Sequence, residues 1–222
     1  MERKYTLPQN LVLLISGVPG VGKTTLSNEL LKIHKEIRLV EETDIIREIL
    51  RGYNDYLFQE HGFLQNNIYS HHKFLTYDMA KNQCKIMKNS IINIIQRQQR
   101  KGIPSIINGV HIIPEELYVH LKTSNIVYIN LYVDSEKILW ARLKKRDSQK
   151  YKLECIPLLY QTNIDLKNSI LRLGEKISCY NINVSLNSIS ETLAEINEIF
   201  YHLYGNYVRN HICLFDYLFI SS

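Results

Sequence analysis

An α/β fold on a parallel sheet is what this sequence predicts, and three observations predict it. Short apolar runs of strand length alternate with longer amphipathic runs of helical period, the pattern of a parallel sheet covered by helices on both faces. The first apolar run leads through a glycine-rich turn into a helix-like segment. The composition, 45% hydrophobic and 22% charged, is that of an ordinary globular domain. Ligands bind such sheets at the carboxyl ends of the strands, so chemistry is expected in the segments that follow them.

The elements follow in order. Leu11–Ser16 is an apolar run, β-branched at Val12 and Ile15, and reads as the first strand. Thr25–Lys35 carries Leu26, Leu30, Leu31 and Ile33 near helical spacing. Arg38–Glu41 reads as a short second strand, and Asp44–Arg51 as a helix with Ile45, Ile46, Ile49 and Leu50 apolar. Residues 53–76 are aromatic, polar and irregular, and read as a mobile or inserted segment. In Tyr77–Lys101, Met79, Met87, Ile91 and Ile95 recur near every fourth residue, and Gly102 stands at the C-terminal cap position. Ser105–Asn108 and Asn125–Val133 read as strands and Glu136–Arg146 as a helix. Lys167–Leu173 belongs to another helix, Cys179–Val184 is a final strand, and Ser190–Tyr204 a final helix.

With 222 residues the chain makes one domain with its own core. The net charge of +5 suits an anionic ligand and is too small to imply nucleic acid. No two of Cys84, Cys155, Cys179 and Cys213 form a C-x-x-C pair, so four free thiols of a reducing compartment are expected. No apolar run reaches the roughly 18 residues needed to span a bilayer. The N-terminal apolar run ends in the glycine-rich turn without a cleavage site, so no signal peptide is expected. A cytoplasmic protein without membrane or nucleic-acid partners is the expectation.

The strongest motif is Gly17-Val18-Pro19-Gly20-Val21-Gly22-Lys23-Thr24, which fits G-x-x-x-x-G-K-[ST] at each fixed position. A strand-like run precedes it and an amphipathic run follows. Backbone N–H groups in such a loop converge on one phosphate chain, helped by the helix N-terminus. Lys23 would reach the β- and γ-phosphates, the Thr24 hydroxyl would bind Mg²⁺, and Thr25 is placed for an α-phosphate contact. The bland alternative, a glycine-rich turn that happens to hold a lysine, does not explain the flanks. No N-K-x-D base-reading motif of GTPases is present. One phosphate loop, an irregular middle and a late basic helix suggest a small-molecule kinase, with ATP and GTP both open.

Thr43-Asp44-Ile45-Ile46-Arg47-Glu48 follows the second candidate strand. A carboxylate at Asp44 can orient or deprotonate an acceptor hydroxyl. Arg47, at i+3, shares its face and suits a phosphate or carboxylate on the acceptor. The competing reading makes Asp44 a helix cap and Arg47 surface. Asn108-Gly109-Val110-His111 follows the third strand, where phosphate-loop proteins usually place an acidic residue; here it is Asn108. Gly109 permits a turn or a close ligand approach, and His111 either meets an anionic acceptor or is a satisfied loop histidine.

Lys137, Arg142, Lys144, Lys145 and Arg146 crowd one helix, with Arg142 and Arg146 four apart on one face. The two arginines are read as closing over the triphosphate and stabilising the transferring group, and the three lysines as a solvated face. His71-His72 do not share a helical face and are not read as a metal site. The aromatic residues from Phe200 onward are read as packing.

Gly17–Thr25, then Thr43–Arg51 (T-D-I-I-R-E-I-L-R), Gly109–Pro114 (G-V-H-I-I-P) and Val133–Arg146 together resemble the 2-phosphoglycerate kinase family over roughly residues 10–200. That family converts 2-phosphoglycerate and ATP to 2,3-bisphosphoglycerate. The resemblance implies a P-loop kinase fold, a doubly wound three-layer sandwich with strand order 2-3-1-4-5. It implies ATP at Gly17–Thr25, acceptor chemistry at Asp44 and Arg47, and lid arginines at Arg142 and Arg146. The chain departs from the family at Asn108, usually acidic, and at Tyr69–Lys73, which replaces a serine-rich stretch.

The resulting expectation is a kinase domain over 1–205, with the acceptor segment at 53–76 and a lid at 136–150, and an aromatic tail over 206–222 that could serve a homodimer. Catalysis is assigned to Lys23, Asp44, Arg142 and Arg146, acceptor binding to Asp44, Arg47, Gly109 and His111, and Mg²⁺ to Thr24. Two alternatives stay open. One keeps the scaffold with another acceptor: a nucleoside, sugar, antibiotic, polynucleotide end, or a nucleotide sugar as in zeta-type toxins. The other is a non-catalytic nucleotide-binding regulator, which Asn108 favours.

Overall fold

The computed structural model describes residues 5–53, 75–120, 125–147, 151–173 and 177–205, and the backbone alone over 206–218. In chain order the described elements are β1 (Val12–Ser16), α1 (Lys23–Ile33), β2 (Leu39–Glu42), α2 (Thr43–Gly52), α3 (Tyr77–Lys101), β3 (Ser105–Asn108), α4 (Pro114–Leu117), β4 (Ile126–Tyr132), α5 (Glu136–Arg146), α6 (Ile156–Leu173), β5 (Cys179–Asn183) and α7 (Ile189–Leu218), with 3₁₀ turns at Tyr118–His120 and Leu153–Cys155.

The five strands form one sheet in the order β2-β3-β1-β4-β5, and each neighbouring pair is parallel. This is the order 2-3-1-4-5 expected from the resemblance. Helix α1 packs against β1, β2 and β3 and meets α7, whereas α3, α4 and α6 pack on one another and against β1, β4 and β5. The two helix groups cover the two faces. Burial falls from centre to edge: β1 is 0% exposed throughout, while β2 is half-buried along its length. Each fully buried Leu or Ile of the centre contributes roughly 1.5–3 kcal/mol of transfer free energy.

Several boundaries differ from the sequence expectations, for local reasons. Helix α1 starts at Lys23 rather than Thr25, because Gly22 takes the left-handed cap conformation with φ 98°. Helix α6 begins at Ile156, well before Lys167, and Pro157 sits in its first turn, where no N–H is needed. Helix α7 runs to Leu218 instead of ending at Tyr204; a lone glycine such as Gly205 costs only about 1 kcal/mol in a helix and need not stop it. Helix α4 and both 3₁₀ turns are too short to show a period. Ile33, Ile45 and Ile49 are 42%, 57% and 55% exposed, so their helical spacing does not mark core positions. Helix α3 matches its expected span: the Thr76 hydroxyl accepts from the Met79 N–H, and Gly102 closes the helix with φ 59°.

Cys84, Cys155 and Cys179 are free thiols. His71 and His72, and residues 54–74 of the expected acceptor segment, lie outside the described residues. Among the described residues no helix is long and apolar enough to cross a membrane.

Candidate active site

The carboxyl ends of β1, β2 and β3 lie side by side, with Ile15 and Glu42 both in register with Asn108. The segments that follow them build the site. After β1 the chain curls into Gly17–Gly22 and enters α1 directly. Gly22 offers no capping side chain, and none caps the helix. The first N–H groups of α1 thus face out unsatisfied by any side chain, which is the arrangement that accepts an anion.

Lys23 Nζ donates to the carbonyls of Gly17 and Val18 at 2.7 and 3.1 Å. Burial is the main cause that pulls its pKa down to about 8; Arg146 lowers it further, and Asp44 and Glu42 oppose the shift. Thr24 Oγ1 donates to Glu42 Oε1 at 3.0 Å. Around these groups lies a cavity of about 470 Å³ lined by Gly20, Lys23, Thr24, Thr25, Arg142 and Arg146 among others. Lys145 also lines it while remaining exposed. The turn of α5 that carries Arg142 and Arg146 carries Lys145 to the same opening.

Arg142 is not free over the cavity. Its guanidinium donates to the Val184 carbonyl and, at 3.3 Å, to that of Ser185. It thereby ties α5 to the loop after β5, where a second cavity of about 250 Å³ opens between Gly20, Thr25, Leu131, Val184, Asn187 and Ile189. Asp134, given no catalytic role from the sequence, braces this loop by accepting from the Ser185 hydroxyl and from Asn183 Nδ2.

Across from the phosphate loop, Asp44 and Arg47 stand on the first turn of α2 with Arg47 Nη2 3.4 Å from Asp44 Oδ1. His111 comes from the loop after β3 and is fully buried. Its Nδ1 lies 3.1 Å from Thr43 Oγ1 and 3.8 Å from Asp44 Oδ1. Burial drives its pKa down to about 4, with Arg47 and Lys23 lowering it further against the pull of Asp44, so the ring is neutral near pH 7. His111 Nε2 and Arg47 Nε are buried without a hydrogen-bond partner. Gly109 makes this packing possible: a Cβ there would lie 1.7 Å from Thr43 Oγ1.

Asn108 turns away from the cavity, donating from Nδ2 to Ser27 Oγ on α1 at 3.2 Å. The fold therefore gathers Lys23, Thr24, Thr25, Arg142 and Arg146 around one cavity and Asp44, Arg47 and His111 beside it. Two neighbours were given no role from the sequence: Glu42 and Thr43. Glu42 lies one residue past the strand read from the sequence, which ended at Glu41, and is the last residue of β2. A further cavity of about 450 Å³ at the β5 edge, lined by Ile170, Leu171, Cys179 and Tyr180, shares no residue with this group.

Residues 13–165 match the family described as AAA domain, and the chain belongs to that family. It is 28% identical over 153 residues to a 2-phosphoglycerate kinase of Thermococcus kodakarensis, covering 64% of this chain and 51% of the relative. It is 27% identical over 144 residues to a mevalonate-3-phosphate 5-kinase of Thermoplasma acidophilum, covering 61% and 67%. The chain thus matches about half the length of the Thermococcus relative. A gluconokinase from Sinorhizobium meliloti 1021 shares the fold, with a TM-score of 0.58 at 14% identity over 91% of this chain and 98% of that one.

Proposed function

We propose, from this membership and the site geometry, that the protein transfers the γ-phosphoryl group of ATP to a hydroxyl of a small, already anionic metabolite, with 2-phosphoglycerate as the leading acceptor. The observation that carries the reading is the placement of Asp44, Arg47 and His111 beside the cavity of the phosphate loop. The two named relatives support it, since the names of both state a phosphorylated acceptor.

In this reading Lys23 exchanges the Gly17 and Val18 carbonyls for the β- and γ-phosphates. The open N–H groups of α1 and Thr25 hold the remaining phosphate oxygens. The smaller cavity beside Leu131, Val184 and Ile189 has room for the nucleoside. The donor set suits a hard cation: the Thr24 hydroxyl is exposed to the cavity, and Mg²⁺ is commonly held by one or two protein oxygens plus phosphates. Consistent with that, the described residues contain no cluster of three or more His, Cys, Asp or Glu that could form an all-protein cage. Mg²⁺ held by Thr24 would neutralise charge on the phosphates. Asp44 orients the acceptor hydroxyl and takes its proton. Arg47 pairs with the anion already on the acceptor, and neutral His111 contributes its unpartnered Nε2. Arg146 stabilises charge on the transferring group, and Arg142 joins it with its N–H groups other than the Nη2 held by Val184 and Ser185.

ADP release from MgATP would be measured with 2-phosphoglycerate, mevalonate 3-phosphate and a panel of unphosphorylated alcohols, with Lys23→Ala as blank. Release that needs 2-phosphoglycerate supports the acceptor. Release with another acceptor only keeps the kinase and replaces the substrate. A second reading, a nucleotide-binding regulator without turnover, is favoured by the neutral Asn108; tight ATP binding with no turnover on any acceptor would establish it.

A further inference from the structure

We infer that Glu42 supplies the protein carboxylate for the Mg²⁺ at Thr24, in place of the acidic residue that Asn108 lacks. The inference rests on the reading of Gly17–Thr25 as a nucleotide phosphate site.

Three observations carry it. Glu42 is the last residue of β2 and lies directly beside Asn108 in the sheet register, so its carboxylate leaves the same end of the sheet one strand over. Its Oε1 accepts from Thr24 Oγ1 at 3.0 Å, which joins it to the hydroxyl that a phosphate loop offers the metal. Asn108 is committed elsewhere: it is 2% exposed and its amide donates to Ser27. A hydroxyl that lines the cavity and a carboxylate in contact with it form an oxygen pair of the kind Mg²⁺ selects. Glu41, the preceding residue, cannot serve, because alternation along β2 points it to the other face, where Oε1 accepts from Gln98 Nε2 at 3.3 Å.

The test reads metal binding and not turnover. A non-hydrolysable ATP analogue, adenylyl imidodiphosphate, is titrated calorimetrically into the protein with EDTA and then with Mg²⁺, and Mn²⁺ bound with the analogue is counted by electron paramagnetic resonance. Glu42→Gln is expected to keep the metal-free affinity, which shows that it is folded. It is expected to lose metal affinity by about 10–100-fold, the cost of removing a group that supports a metal. Glu41→Gln, with the same change of charge one residue away, is expected to behave as wild type. Full metal enhancement in Glu42→Gln, or an equal loss in Glu41→Gln, overturns the assignment. Failure of the wild type to bind the analogue with or without metal overturns the phosphate-site reading itself and is a separate result.

Discussion

The phosphate loop is one contiguous segment, Gly17–Thr25, whose shape follows from its own glycines and from the helix it opens. The proposed acceptor group is assembled from the β2–α2 junction and the β3 loop, and its contact between Thr43 and His111 joins residues 68 apart. The first needs only local backbone conformation. The second needs β2 and β3 paired in register, Gly109 without a side chain, and a buried neutral imidazole. Two halves of one site therefore depend on different physics, and damage to them should separate.

The largest separation is expected from Asp44→Asn. Loss of the base should lower kcat by about 10²–10⁴-fold while ATP affinity by calorimetry stays unchanged; a parallel loss of ATP affinity would erase the distinction between the halves. Lys23→Ala should do the converse, weakening ATP binding and costing about 10²–10³-fold in kcat, with no shift in melting temperature beyond a degree or two.

Gly109→Ala should act on the acceptor half through packing. The new methyl would overlap the Thr43 hydroxyl, and overpacking of this kind costs about 1–3 kcal/mol. Urea denaturation should report that loss, and acceptor KM should rise while metal-free nucleotide affinity holds.

Near neutral pH the smallest effect is that of pH itself. His111 has its pKa lowered to about 4 from 6.5, so in that window the unfolded chain binds a proton that the folded chain does not. Stability is then lost as pH falls from about 6.5 toward 4, by up to about 1.4 kcal/mol per pH unit. Subtracting the pH profile of a His111→Gln variant from that of wild type, both by urea denaturation, should isolate this slope. Coincident profiles would mean that His111 is not held neutral by burial.

Strong periodicity made α3 legible from cap to cap, and the apolar centre of β1 and β4 stood out because both faces are buried. The edge strand β2 is half-buried and only four residues long, so its final residue, Glu42, carried no pattern. Helix α7 was ended at Tyr204 although its backbone runs on to Leu218, since one glycine at position 205 costs only about 1 kcal/mol in a helix.

By itself the sequence determined the alternation of strands and helices, the phosphate loop and its place after the first strand, and the candidates Lys23, Thr24, Asp44, Arg47, His111, Arg142 and Arg146. These are local properties of spacing and residue type. Only the tertiary structure decided that Arg142 is tied to the loop after β5, that His111 is buried against Thr43 and Asp44, and that Glu42 meets Thr24 while Asn108 turns to Ser27. Such contacts join residues far apart in the chain, and strand register, which fixes which ends stand side by side, is set by burial of the whole sheet and not by any one segment.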